Sequence, residues 1–99
     1  MDFKKLIIGD IFIVNDKMVI TTTFTENKVK DWAVSINKSF FIEEFKGKTF
    51  IVNKGKRIIK GNVLEVEVSS NISDYKNIHL IVDNALFEEL KSNDIIEII

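Results

Sequence analysis

The sequence predicts an all-β fold: a small closed or nearly closed antiparallel β-barrel of about six strands, with one short helix before the last strand. Of the 99 residues, 31 are Ile, Val or Thr, whereas Ala, Leu and Met together number nine. β-branched side chains suit a pleated surface and lose rotamer freedom in a helix. Proline is absent and glycine numbers four, so Asn and Asp must form most turns. The length fits one domain, residues 1–99.

The first predicted unit is a hairpin. Ile11–Val14 is a strand, Asn15–Lys17 a tight turn and Met18–Thr25 the return strand. Residues alternate between two faces along the return strand, which is typical of a half-buried strand. The positions predicted to share one face are Met18, Ile20, Thr22 and Phe24.

The second predicted unit is a similar hairpin. Thr49–Val52 is a strand, Asn53–Gly55 the turn and Lys56–Ser69 a long return strand. The string FIVN occurs in both hairpins, at 12–15 and at 50–53. This pattern favours two similar hairpins, with an internal duplication as the alternative. The apolar positions change parity along the return strand, which predicts a bulge at Gly61-Asn62 and a bent strand serving two sides of the barrel.

The remaining elements follow in order. Ile78–Val82 is a strand, and Asp83 or Asn84 can cap a short helix. That helix would place Leu86, Phe87 and Leu90 on one side. Ile95–Ile99 is the final strand.

The segment Asn27–Phe45 fits two patterns. Val29, Trp32, Ile36 and Phe40 have helical spacing, while Trp32, Val34 and Ile36 have strand spacing. We favour a strand plus a loop, and helix stays open.

Several functional classes are excluded by composition. The chain has no cysteine and one histidine, so we expect no disulfide, no thiolate nucleophile, no structural zinc and no cofactor. A net charge of -1 excludes a uniformly basic nucleic-acid binder. The first apolar run stops at Gly9-Asp10, so we expect neither a signal peptide nor a membrane span, and a cytoplasmic protein.

No arrangement of residues predicts catalysis. His79 lies on an apolar strand, which favours a structural or surface-facing histidine over a general base. Ser and Asp are present for a Ser-His-Asp triad, but there is no Gly-x-Ser-x-Gly elbow. Two carboxylate pairs, Glu43-Glu44 and Glu88-Glu89, are adjacent in sequence. Adjacent strand residues point to opposite faces, so we expect solvated carboxylates, no metal site and no enzyme.

Charge is segregated along the chain. The Lys46–Lys60 segment contains six cations and no acid: Lys46, Lys48, Lys54, Lys56, Arg57 and Lys60. The Asp83–Glu97 segment contains five acids and one lysine. The cations can contact phosphates, or they can simply maintain solubility and blunt a sheet edge. The two segments can also pair between chains and form a homodimer.

A second candidate contact surface is aromatic and acidic. Its residues are Trp32, Phe40, Phe41, Glu88 and Glu89. Neighbouring aromatics on a strand send one ring to each face, so one ring can be free for a partner. Core packing of both Phe40 and Phe41 is the favoured alternative.

Three segments share a turn pair followed by an apolar strand: Gly9-Asp10 before IFIV, Gly47-Lys48 before TFIV, and Asn93-Asp94 before IIEII. This pattern resembles the second domain of elongation factor Tu and its relatives. The segment KGKRIIKGNVLEVEVS, at 54–69, is similar to the second half of that barrel. The resemblance implies a six-stranded closed barrel in a small bacterial-type protein. The first hairpin lacks the family's glycine-rich stretch, and 27–45 is an insertion.

The sequence therefore predicts a non-catalytic binding module for a protein or another ligand. One alternative is RNA or single-stranded nucleic-acid binding through the Lys46–Lys60 hairpin. Another is an immunity or antitoxin-like protein that blocks a toxin with an acidic surface.

Overall fold

The computed structural model describes residues 2–86 and 88–99, so the predicted helix position Phe87 lies outside the described residues. The described chain is mostly β, as predicted, with seven strands in one antiparallel sheet. The strands are β1 (Lys5–Val14), β2 (Lys17–Phe24), β3 (Thr49–Asn53), β4 (Ile58–Asn62), β5 (Glu65–Ser70), β6 (Lys76–Asp83) and β7 (Ile95–Ile98). The helices are α1 (Asn27–Val34), α2 (Lys38–Phe45) and a single 3₁₀ turn, Asn84–Leu86.

The strand order is β4-β3-β7-β1-β2-β6-β5, which puts β4 and β5 at opposite ends of the sheet. Only Val63 and Leu64 join these two strands. The Val63 amide donates to the Lys48 carbonyl, and the Leu64 amide donates to the Ile81 carbonyl, each at 2.8 Å. A flat sheet of seven strands would separate its ends by about 29 Å, but three peptide steps reach only about 11 Å. The sheet therefore curls round its core.

Closure of the barrel is not confirmed. Within residues 2–86 and 88–99, no ladder of hydrogen bonds joins β4 to β5, so the sheet has two ends. The number of strands is seven and not six, because the predicted return strand Lys56–Ser69 is divided into β4 and β5. The buried positions do change from odd to even residue numbers along this segment, since Ile59, Val63 and Val66 are all buried.

The predicted bulge at Gly61-Asn62 is wrong, because both residues pair in regular register with β3. Gly61 instead makes room for the core. A Cβ atom at this position would lie 2.5 Å from Cζ of Phe50. A register shift does occur in β1, between Ile8 and Asp10.

The first hairpin forms at the predicted place, but β1 begins at Lys5 and not at Ile11, and Lys17 belongs to β2 and not to the turn. The turn residues Asn15 and Asp16 have φ angles of 50° and 66°, the left-handed backbone that twists with the flanking strands. All four residues predicted for one face of β2 are buried: Met18, Ile20, Thr22 and Phe24.

The segment Asn27–Phe45 corrects the prediction of a strand plus a loop, because it forms two helices of eight residues each. Val29 and Ala33 of α1 are buried, and so are Phe41 and Phe45 of α2. Each pair is spaced i, i+4, which puts both side chains on one helix face. The helices thus cover the inner side of the curled sheet. Neither is long and apolar enough to cross a membrane.

Strand β6, which pairs with β2 of the first hairpin, begins with a buried lysine. Lys76 is 6% exposed, and its Nζ donates to the carbonyls of Ala33 at 2.6 Å and Val34 at 3.0 Å. These carbonyls end α1, where a cation is favourable. Burial lowers the pKa of Lys76. The neighbouring Tyr75 hydroxyl donates to Asp31 at 2.7 Å, and this hydrogen bond raises the pKa of Tyr75.

Candidate binding face on the outer side of the sheet

The two copies of the string FIVN present opposite faces of the sheet. In β3, Phe50 is 0% and Val52 is 1% exposed. In β1, Phe12 is 44% and Val14 is 47% exposed. Phe12 pairs with Val19 on the side of β2 that faces away from the core. The two copies are therefore not equivalent in the fold, and the first exposes apolar surface that the core does not use.

These exposed side chains border a concave depression of about 540 Å³ on the outer side of β1, β2, β5 and β6. Phe12 lies opposite Val19, and Val19 lies opposite Ile81, so three apolar residues form a row across three strands. The apolar lining consists of Phe12, Val14, Val19 and Ile81, and the polar lining of Asn15, Lys17, Glu67 and His79. We call these eight residues the outer patch.

His79 lies in the row next to the apolar one and is fixed at both ring nitrogens. The Thr21 hydroxyl is 3.1 Å from Nδ1, and the Ser69 hydroxyl is 2.8 Å from Nε2. In the neutral ring, one hydroxyl donates to the bare nitrogen and the other accepts from the N–H. The three residues come from β2, β6 and β5, so this network holds three strands together.

The network has two members of a hydrolytic triad, Ser69 and His79. In a triad, a carboxylate orients the histidine and stabilises its imidazolium form. Here the Thr21 hydroxyl occupies that position. Among the described residues, no carboxylate forms a hydrogen bond with His79. The described residues also contain no group of three His, Cys, Asp or Glu side chains placed to hold a metal ion. The arrangement holds the His79 ring in one orientation in the lining of the depression.

Carboxylates lie within the outer patch and beside it. Glu67 pairs with His79 across β5 and β6, and Asp10 pairs with Thr21 across β1 and β2. Asp83 pairs with Lys17 in strand register. All of these charged side chains are exposed.

The cations of the Lys46–Lys60 segment are partly engaged within the chain. Lys46 contacts Glu65 at 3.1 Å, and Lys54 contacts Asp94 at 2.7 Å. Arg57 forms an ion pair with Glu89. The remaining cations, Lys48, Lys56 and Lys60, are exposed and form no ion pair with the described residues. Two of the three pairs reach into the Asp83–Glu97 segment, so the basic and acidic segments meet within one chain.

The aromatic and acidic candidate surface is largely internal. Phe41 is 0% exposed, and Trp32 and Phe40 are half-buried. Phe3 lies 5.6 Å from Trp32 and 5.4 Å from Phe40 between ring centroids. The rings therefore pack mainly on one another.

The two acids of that candidate surface behave differently. Glu88 is exposed, and Glu89 is half-buried beside Arg57. The five predicted residues thus do not form one open surface.

The outer patch was not predicted from the sequence. Its apolar members on β1 are indistinguishable in the string FIVN from the buried members on β3. The one available signal was the tight turn at Asn15-Asp16, which fixes the pairing of Phe12 with Val19. Strand parity then places both on the face opposite Met18 and Ile20.

Comparison with known proteins gives no relative: no protein family, curated protein or solved structure matches the chain. The resemblance to elongation factor Tu stays a prediction.

Proposed function

We propose that the chain is a non-catalytic, barrel-like binding module that recognises another protein through the outer patch. One observation carries this proposal: Phe12 and Val14 are each more than two-fifths exposed beside a depression of about 540 Å³. Scattered surface apolar residues are ordinary, but a contiguous patch around a concavity is typical of interaction sites. Neither side chain belongs to the buried core.

The polar lining supports binding rather than catalysis. His79 is oriented by hydroxyls from two other strands, so its ring is a fixed part of the lining and both of its nitrogens are used within the chain. The apolar row can bury an apolar side chain of the partner, and the polar groups of the lining can fix the orientation of that partner. Val19, His79 and Ile81 lie on β2 and β6, which each pair with a strand on both sides. This favours a pre-formed floor for the depression.

The nucleic-acid alternative rests on the Lys46–Lys60 segment. Three of its six cations take part in ion pairs within the chain, which leaves Lys48, Lys56 and Lys60 for phosphates. The immunity-protein alternative rests on an acidic surface, and two of the acids in Asp83–Glu97 are similarly engaged. The geometry therefore supports the outer patch more than either alternative.

The test is differential capture from the native lysate at low salt. The bait proteins are the wild type, a patch variant (Phe12→Ser with Val14→Ser) and a control variant (Ile58→Ser with Ile72→Ser). The control residues are 57% and 101% exposed and lie outside the patch. Circular dichroism checks that each bait is folded.

A protein retained by the wild type and the control but lost by the patch variant supports the proposal. A protein retained equally by all three refutes it. A nuclease-sensitive complex that is lost on changing Lys56 and Arg57 to Ala would instead support the RNA alternative.

A further inference from the structure

We propose that the outer patch binds an extended segment of a partner protein in which an apolar side chain lies between two lysines or arginines. This inference rests on the proposed function and specifies the chemistry of its partner. It is carried by the charges around the apolar row and by their spacing.

The outer side of the sheet around the apolar row carries more carboxylates than ammonium groups. Four carboxylates lie on the outer side of β1, β5 and β6 next to the apolar row: Asp10, Glu65, Glu67 and Asp83. One ammonium, that of Lys17, lies on the same face of β2. Lys46 reaches Glu65 at 3.1 Å. In the described part of the chain, the other three carboxylates take part in no ion pair.

The register fixes how far apart the acids lie. Asp10, Thr21, His79 and Glu67 occupy one row across β1, β2, β6 and β5. Three inter-strand spacings separate the Cα atoms of Asp10 and Glu67 by about 14 Å. The apolar row of Phe12, Val19 and Ile81 runs beside this acidic row.

An extended peptide matches this spacing. Residues four apart in an extended segment are about 13 Å from each other, and the residue midway between them points to the same side. A segment Lys-x-Leu-x-Lys that crosses the strands above the apolar row can therefore reach Asp10 and Glu67, in the neighbouring row, with its two long lysine side chains. Its leucine can enter the depression between Phe12 and Ile81.

The same charges disfavour the other occupants. A second copy that docked its own patch face to face would bring like charges together, which is destabilising. Nucleic-acid phosphates would likewise meet Asp10 and Glu67. A basic, apolar segment of a different protein is the occupant that complements both the shape and the charge.

The experiment is a ¹H–¹⁵N NMR titration of the labelled chain, residues 1–99, with three synthetic peptides. Their cores are Lys-Ser-Leu-Ser-Lys, Glu-Ser-Leu-Ser-Glu and Lys-Ser-Ser-Ser-Lys. We expect the first to shift the amides of Phe12, Glu67 and Ile81 with a Kd near about 1 mM. The other two should bind at least about tenfold more weakly, and added salt should weaken the first.

Matched variants assign the effect to the acidic row. Asp10→Asn with Glu67→Gln should weaken the first peptide about three- to tenfold. The control, Glu43→Gln with Glu88→Gln, removes two exposed carboxylates elsewhere and should leave its Kd unchanged. Equal weakening by both pairs would overturn the inference, since only overall charge would then matter.

The remaining outcomes separate this inference from the proposed function. If the glutamate peptide binds the patch better, or if the lysine–leucine peptide does not bind at about 5 mM, the inference fails. Partner capture that still depends on Phe12 would then leave the proposed function standing. A wild-type dimer in sedimentation that Phe12→Ser dissociates would make a second copy the occupant and would also overturn the inference.

Discussion

Replacing Lys76 by methionine should destabilise the protein by about 2 kcal/mol. Methionine keeps the apolar length of the side chain but removes the ammonium that donates to the Ala33 and Val34 carbonyls. Hydrogen bonds from a charged donor contribute about 1.5–3 kcal/mol each. Relief of the cost of burying the charge offsets roughly half of this loss. The Ala33 carbonyl keeps the hydrogen bond that it accepts from the Ile36 amide at 3.1 Å. Because Ala33 is 0% exposed, water cannot readily replace the ammonium as its second donor.

The pH dependence of this difference has a defined sign. Burial lowers the pKa of Lys76 in the folded state. Between that lowered pKa and the ordinary lysine pKa of about 10.4, the unfolded chain binds more protons than the folded one. Stability from this group therefore rises with pH in that window. Methionine has no such contribution, so the gap between wild type and Lys76→Met should widen from neutral pH toward about pH 10.

The assay is urea unfolding of wild type and Lys76→Met at neutral pH and at about pH 10. The unfolding curves are fitted with one shared m value. Lys60→Met is the control, because Lys60 is exposed on β4 and should change stability by less than about 0.5 kcal/mol. A Lys76→Met value within about 0.5 kcal/mol of wild type would refute the capping role. A gap that narrows at high pH would refute the direction of the pKa shift.

Two further predictions concern packing and charge. Gly61→Ala should cost about 1–3 kcal/mol in a thermal or urea melt, because its Cβ would lie 2.5 Å from the buried Phe50 ring. Gly9→Ala is the control, since its Cβ meets only an ordinary 3.5 Å contact; equal costs would contradict the argument. Lys54→Met should cost about 1–2 kcal/mol, because both side chains of the Lys54–Asp94 pair are less than one-quarter exposed. A melting temperature unchanged by Lys54→Met would show that the pair is not stabilising.

The strands could be predicted from the sequence, because alternation and turn chemistry are local. The turn at Asn15-Asp16 and the buried face of β2 both follow from residues within one hairpin. The helices α1 and α2 could not be predicted. Each has eight residues, too short for propensity to decide, and aromatic spacing around Trp32 fits either period. Packing of Phe41 and Phe45 on the sheet determines the outcome, and that contact is not local.

The candidate site depended on register rather than on residue type. Composition pointed to Lys54 and Arg57, and the fold places acids beside both. Phe12 carried no signal, because the same string at Phe50 is core. Which copy faces outward depends on the pairing of β1 with β2 and on the register shift next to Asp10, neither of which is encoded by the string itself.

The position of β7 has a consequence for how the protein is made. β7 lies between β1 and β3, and the β3–β4 hairpin joins the rest of the sheet through it. Yet β7 follows all six other strands in the chain. In a nascent chain that does not yet include Ile95–Ile98, the edges of β1 and β3 that pair with β7 therefore have no partner strand. Assembly of the sheet interior must wait until β7 has been synthesised, and until then those edges are open to pairing with other chains.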